Sequence, residues 1–439
     1  MNATEVQDSY VGQFQDHAER EARRPPPWLR RDRAGAMDRF VVAGFPTRRM
    51  EAWKYDVLAP VTEEPFILSE PSCIGLDPED LDPLLLNRGE GAHLVFVNGW
   101  FAPTLSAGSA LPRGVRMGGM ARRMAADPAE LLPAFSNEEA QPDHGFTELN
   151  RAMWQDGAFV QLGPELDPEW TVQLLFLNSE SLEPLLIQPR NLLMVEAGCR
   201  ARVVETHLSL GRSAHFTNAW TTLLLERGAH LDYQLWLDGG PHARHIGSMR
   251  VTQAADSVLE AGLFALGGRL TRQEVEVNLS EPGAECRLHG LLAATAHQQV
   301  DFHLNVRHAA SSTTSHQEFR GLADGHGRGI FNGRVWVAPG VREIVSGQTT
   351  RNMLLSPEAE IDAKPQLEIH ADDVQCVHGA TVGSPDEEAL FYLRSRGLDG
   401  QTALALLVEA FVGDVLNRGE PEPLRDWMKQ RFNAWRASP

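Results

Sequence analysis

Between residues 170 and 383 the chain repeats one pattern: a short apolar or alternating run, a glycine-containing turn, then another run. TVQLLFLN, RARVVETHLS, AWTTLLLERGAHLDYQLWL, LTRQEVEVNLSEPGAECRLHGLL and VDFHLNVRHAA are rich in leucine, β-branched and aromatic residues. Such runs, bounded by turn residues, are the signature of strands. No long amphipathic helix interrupts them. A turn-like motif recurs as Glu196-Ala197-Gly198, Glu226-Arg227-Gly228-Ala229, Glu281-Pro282-Gly283-Ala284 and Ser356-Pro357-Glu358-Ala359, with third positions 30, 55 and 75 residues apart. These intervals approach one, two and three steps of roughly 25–30 residues, within the range of solenoid periods. The pattern predicts a mainly β chain whose core, residues 170–383, is a parallel β-helix. A pair of β-sandwiches is the competing architecture, although Greek keys would show more Asn-Gly hairpin turns.

The flanks read differently. Residues 1–60 predict two short helices separated by Pro25-Pro26-Pro27, the second running from Trp28 to Ala43 and stopped by Gly44 and Pro46. In GFPTRRMEAWKYDVLAP, Thr47 is a helix-cap candidate, while Glu51 and Trp53 are expected to dock this arm on the body. Residues 61–169 form a mixed region of loops, a hairpin and a helix leading into the core. Within it, HLVFVNGWFAPTLS predicts a hairpin turning at Asn98-Gly99, and residues 146–162 predict a helix followed by a strand. Residues 384–439 are helical. Ser384-Pro385-Asp386-Glu387 reads as a capping box with proline in the first turn. Apolar residues at 404, 407, 408, 411, 412 and 415 make a helical stripe, and Leu424, Trp427, Met428, Phe432 and Trp435 follow on a last helix. Their spacing fits a packed core face and a docking face equally well.

With 439 residues and a net charge of −19, the chain is large enough for an ample core and is too acidic for a general nucleic-acid binder. No apolar run reaches the ~18–20 residues of a membrane span. MNATEVQDSY lacks a signal-peptide pattern, so the expected compartment is the cytoplasm. Cys73, Cys199, Cys286 and Cys376 are widely spaced with no CxxC, which excludes a self-contained zinc or iron–sulfur motif. None of the three lysines, Lys54, Lys364 and Lys429, follows a glycine. A P-loop is therefore absent, and any ATP-driven step belongs to a partner.

Candidate chemistry gathers in PQLEIHADDVQCVHGATVGSPDEEALFYLRSRG, residues 365–397. Cys376 and His378 lie two apart, so an extended backbone turns both to one face. They offer half of a soft ligand set for a transition metal or iron–sulfur species, or a thiol beside a base. A packed thiol beside a surface histidine is the bland reading. Asp372 and Asp373 read as turn residues. His242 and His245 are assigned to a flexible loop. His303, His308, His316 and His326 fall in the β body without assigned chemistry, His303 on an outward polar face with Asp301 and Asn305.

The same stretch closely resembles the C-terminal signature of the SufB/SufD family, in its SufD form, scaffold proteins of SUF iron–sulfur cluster assembly. FPTRRMEAWKY, LVFVNGWFAPTLS, LNRAMWQDGAFV, FNGRVWVAPG and RNMLLSPEAEIDAKPQLEI look like further family segments, so the likeness spans most of the chain. It implies a right-handed parallel β-helix between N- and C-terminal helical regions. It also implies edge-to-edge pairing with SufB and docking of the SufC ATPase on the C-terminal helices, where Leu390, Phe391, Leu393, Leu404, Leu407 and Phe411 are the expected contacts. SufB-type sequences carry a cysteine near the position of Glu358-Ala359, absent here. By this resemblance His378 contributes to a nascent cluster at the SufB interface, with Cys376 the weaker candidate. Val377, Gln375 and His370 depart from the usual pattern. The expected role is non-catalytic, with a transient cluster shared with SufB, none in the isolated chain, and a homodimer possible when SufB is missing. The alternatives are a polysaccharide-active β-helix enzyme, disfavoured without a carboxylate ladder, and a stand-alone metal-binding protein.

Overall fold

A computed structural model describes residues 1–20, 25–71, 76–86, 91–108, 111–136, 144–419 and 422–437. Two eleven-stranded sheets face one another, and the chain alternates between them from Ala158 to Gly383. Sheet I ends at the strand Glu360–Ile369 and sheet II at Val374–Gly383. Successive coils pair in parallel register, forming a parallel β-helix. Arg200, His230, Val258, Glu285, Thr314, Val345 and Gln375 stand in one column, at steps of 30, 28, 27, 29, 31 and 30 residues. That is the period read from the turns.

The turns explain why the period is legible. Gly198, Gly228 and Gly283 take φ of 70°, 66° and 77°, a region open to glycine at little cost. All three lead from sheet I to sheet II. Ser356–Ala359 lies at the opposite corner, between Ile344–Leu354 of sheet II and Glu360–Ile369 of sheet I. Its 75-residue offset therefore does not measure whole coils.

Strands in the middle coils are buried on both faces, so they read as near-continuous apolar runs. The lumen is filled by residues such as Leu231, Tyr233, Leu235, Leu259, Leu263, Leu288 and Phe302. The outer face of sheet II carries Val204, Trp236, Phe264, Leu291 and Leu322, covered by the C-terminal helices through Val408, Val412, Val415, Leu424, Met428 and Phe432. The last helix is thus core-forming, which resolves the two readings of its apolar stripe. The C-terminal helices are α1 (Glu387–Ser395), α2 (Gly400–Leu416) and α3 (Glu422–Ala437). The cap of α1 is Asp386, which accepts from the amides of Glu388 and Ala389. Ser384 and Pro385 precede the helix, because the Asp386 carboxylate takes the first free amides.

The N-terminal region contributes helices Ala3–Arg20 and Pro27–Ala43, the latter ended by Gly44 at φ 63°. With Gly145–Met153 they pack on Phe216, Ile246 and Leu270 of sheet I. The predicted hairpin is present, with Gly91–Val97 turning at Asn98 (φ 51°) and Gly99 (φ 85°) into Trp100–Phe101. Gly91–Val97 pairs with Thr171–Asn178 and closes the early end of sheet II. Thr47 caps no helix; its carbonyl closes a turn by accepting from Met50 N. Trp53 and Glu51 do dock the arm: Trp53 is buried, and Glu51 accepts from Lys364 Nζ at 2.5 Å. No helix among the described residues is long and apolar enough to cross a membrane.

Candidate functional site

Cys376 and His378 lie on Val374–Gly383, the last strand of sheet II, which among the described residues pairs with Ile344–Leu354 alone. The last strand of sheet I likewise has one neighbour, Arg328–Val337. At the early end both sheets finish in antiparallel strands, Trp100–Phe101 in sheet II and Val115–Gly119 in sheet I, whereas among the described residues this end leaves backbone edges open. Open edges are templates for pairing with another chain. Pro365 removes one donor from the sheet I strand, and Val374–Gly383 contains no proline.

Alternation puts Val374, Cys376 and His378 on one face, in register with Ile344, Ser346 and Gln348. Those three are buried lumen residues, so Cys376 and His378 occupy lumen positions of the terminal rung. Cys376 is half-buried against a cluster containing Val335, Val337, Ile344 and Leu367, and burial pushes its thiol up. His378 is exposed, and its ring makes no hydrogen bond to another described residue. The structure thus brings the pair to one face with different surroundings: a thiol set into apolar contacts and an imidazole facing outward. An imidazole so placed can ligate a soft metal or exchange a proton with a second chain. Val377 points to the opposite face and is 69% exposed. Asp373 accepts from Glu343 N at 3.2 Å, a turn contact. His370 Nε2 lies 3.1 Å from Glu368 Oε1.

The tail residues divide. Leu404 and Phe411 pack against the cluster over sheet II. Leu390, Leu393 and Leu407 are half-buried, while Phe391 is 75% and Tyr392 56% exposed on α1. Cys199 and Cys286 are buried, with burial raising both thiols, Cys199 to about 11; neither is positioned as a ligand. Cys73 lies outside the described residues.

One assignment needs correction and one cluster was missed. His245 sits on the strand Ala243–Gln253, 8% exposed, rather than in a loop; His242 occupies the preceding turn. Alternation on a sheet I strand points His245 into the lumen, and the nearby Pro and Gly residues belong to the corner before it. The missed cluster ties the N-terminal arm to sheet I. Arg272, fully buried, donates from Nη1 to Asp56 Oδ2 at 2.8 Å and to Asp301 Oδ2, and from Nη2 to Glu274 Oε1 at 2.6 Å. The Trp53 ring lies 3.6 Å from its guanidinium carbon, a cation–π contact. Asp56, Asp301 and His303 bring ligand atoms within 4.8 Å of one another. Arg272, however, already sits against both carboxylates and supplies the positive charge a metal would bring. Burial, then Asp301, raises Asp56 to about 8; burial, then Arg272, lowers His303 to about 3. No local motif announces this cluster, because Asp56 and Arg272 are 216 residues apart.

Comparison with known proteins fits this architecture. Residues 176–411 match the family model "SUF system FeS cluster assembly, SufBD core domain", and residues 4–174 match "SufBD protein N-terminal region". The iron–sulfur cluster assembly protein SufD of Escherichia coli is 28% identical, over 90% of this chain and 90% of its own length. A SufBD family protein of Synechocystis is 26% identical, over 88% and 86% respectively. A chloroplastic protein of Arabidopsis thaliana, ABCI7, is 26% identical, over 91% and 84%. Two family models together span the N-terminal region, the β-helix and part of the helical tail, and the chain belongs to the SufBD family of iron–sulfur cluster assembly proteins.

Proposed function

We propose that this chain is a non-catalytic scaffold subunit that works as SufD does. It pairs through the open end of its β-helix with a SufB-type chain, carries a SufC-type ATPase on its C-terminal helices, and presents His378 to a cluster nascent between the two β-helices. The observation that supports this reading is the position of His378: exposed, on a lumen-register position of the terminal rung, beside an unpaired strand edge. One chain supplies too few ligands to close a site, and a second β-helix abutting the edge would supply the rest. Cys376 is the secondary contributor, because its thiol is engaged in apolar contacts. ATP-driven closure of the ATPase would act on the helices clamped over sheet II and so shift the paired β-helices. Without a SufB-type partner, the same edge would pair with a second copy of this chain.

The deciding experiment is co-expression with SufB- and SufC-type partners. His378→Ala should leave the complex assembled and lower its iron and acid-labile sulfide content; equal loading in variant and wild type would remove His378 from the mechanism. Docking is best tested on α1, where Phe391 is exposed. Phe391→Asp should leave the melting temperature of the isolated chain within a degree or so, since exposed substitutions are usually near neutral. It should also abolish capture of the ATPase, and undiminished capture would sink the docking assignment.

A further inference from the structure

Beneath the terminal rung the lumen changes chemistry. The column that ends at His378 reads Tyr233, Ala261, Leu288, Gln317, Gln348, His378. Its neighbour, ending at Cys376, reads Leu231, Leu259, Cys286, Ser315, Ser346, Cys376. Both columns turn polar for the two rungs below the site. The Ser column is internally satisfied: Ser346 and Ser315 hydroxyls lie 2.9 Å apart, Ser315 reaches His308 Nε2 at 2.9 Å, and His308 Nδ1 reaches Thr313 Oγ1 at 2.8 Å.

The Gln column is not. Gln317 is 3% and Gln348 1% exposed. Gln348 Nε2 donates to Gln317 Oε1 at 2.9 Å, and in this orientation Gln348 Oε1 has no partner. A leucine, as at position 288 of the same column, would fill this space without a stranded acceptor. Gly333 on the facing sheet makes room for the amide: a Cβ there would lie 2.0 Å from Gln348 Nε2. A buried, unpartnered acceptor held one rung below an unbonded imidazole is a built half of a hydrogen bond.

We infer that Gln348 is a positioning residue for His378. Its unpartnered Oε1 is the acceptor offered to the N–H of one ring nitrogen, and taking it up selects the tautomer whose other nitrogen presents its lone pair at the open end. Ligating histidines are oriented in this way by an acceptor on the far nitrogen, and which nitrogen carries the proton is set by that bond. The inference rests on the assignment of His378 to the site but concerns a residue inside this chain, so it is tested separately.

The test uses Gln348→Met, which keeps the shape and removes the acceptor, and Gln348→Glu, which keeps an acceptor. Gln317 Nε2 is itself unpartnered, and a flip of that amide satisfies the new carboxylate. The first readout is the ring-nitrogen chemical shifts of His378 in the ¹⁵N-histidine-labelled full chain, identified by their loss in His378→Ala. The second is cluster content of the co-expressed complex. Wild type should show one dominant tautomer and Gln348→Met a mixture, with cluster content lower by roughly tenfold or more and restored by Gln348→Glu. A mixed tautomer in wild type, an unchanged one in Gln348→Met, or failure of Gln348→Glu to restore loading in a folded complex would overturn the inference. If His378→Ala keeps full loading, the site assignment fails instead. If His378→Ala loses its cluster while Gln348→Met keeps both cluster and tautomer, only this inference fails.

Discussion

Arg272→Leu should destabilise the protein by about 3–5 kcal/mol, the usual cost of removing one partner from a buried charge pair. The change strands Asp56 and Asp301, 1% and 0% exposed, facing one another without the guanidinium. It also removes the cation from the Trp53 ring. The arm carrying Glu51, Trp53 and Asp56 should detach before the β-helix melts, since its main remaining polar ties are then Gln299, bonded to Val57 N and to Asp56 Oδ1, and Lys364 bonded to Glu51. Urea unfolding followed by circular dichroism and by Trp53 quenching would separate the two events. The pH dependence has a definite sign. Burial holds both carboxyls above their ordinary range, Asp56 at about 8 and Asp301 at about 6. Such groups contribute stability that is complete below the unfolded value and lost as pH rises through the folded one. Wild type should therefore loosen progressively at this clasp as pH rises from about 4, the ordinary carboxyl value, to about 8, the folded value of Asp56. In Arg272→Leu both carboxyls bury most easily when protonated, so its deficit should shrink near pH 5 and grow near pH 9. A deficit that does not vary with pH would show that the lost packing around Trp53, rather than charge, dominates.

Trp236→Ala is the second large effect, again about 3–5 kcal/mol for a buried aromatic truncated to alanine. Trp236 is 1% exposed on the outer face of sheet II, stacked on Phe264 at 5.5 Å and edge-on to Trp427 of α3 at 5.3 Å. The cavity would open directly under the helical tail. Thermal melting should fall, and limited proteolysis should cut first at residues 384–386, ahead of α1, releasing the tail as a fragment. A lower melting point with an unchanged cleavage pattern would mean that Trp236 stabilises sheet II without holding the tail. The contrast with Phe391→Asp is informative: one variant loosens the tail from within, the other alters its exposed surface only. Removing residues 384–439 outright is a poor docking test, because it would uncover Val204, Phe264, Leu291 and Leu322.

The architecture was readable because its period is local. Each coil must close on itself, so turns with glycine at positive φ recur at coil length, and strands buried on both faces lose their polar positions. The docking of Glu51 and Trp53 was readable for a different reason: a tryptophan in a polar arm has few ways to be buried except against the body. Elsewhere the signal was ambiguous or absent. Asp386 outcompeted Ser384 for the cap, two residues apart in a segment where both can serve. His245 looked like a loop residue because the corner before it holds the glycines and the proline. The pairing of Asp56 with Arg272 and Asp301 could not be seen, since it depends on which coil the arm crosses. Cys376 and His378 were visible as neighbours two apart, but the residues beneath them, Ser346 and Gln348, sit 30 positions earlier and become neighbours only once the coil length is fixed.

The open end of the β-helix bears on how the protein must be made. On its own the chain carries two terminal strands with one open edge each, and Val377 and Val382 are exposed on one of them. Nothing in the described residues folds over that edge, so on the pairing proposed above its protection would come from a partner made in matching amount rather than from shielding within the chain. On the pairing proposed above, surplus subunit would offer that edge to other chains, a second copy of itself among them.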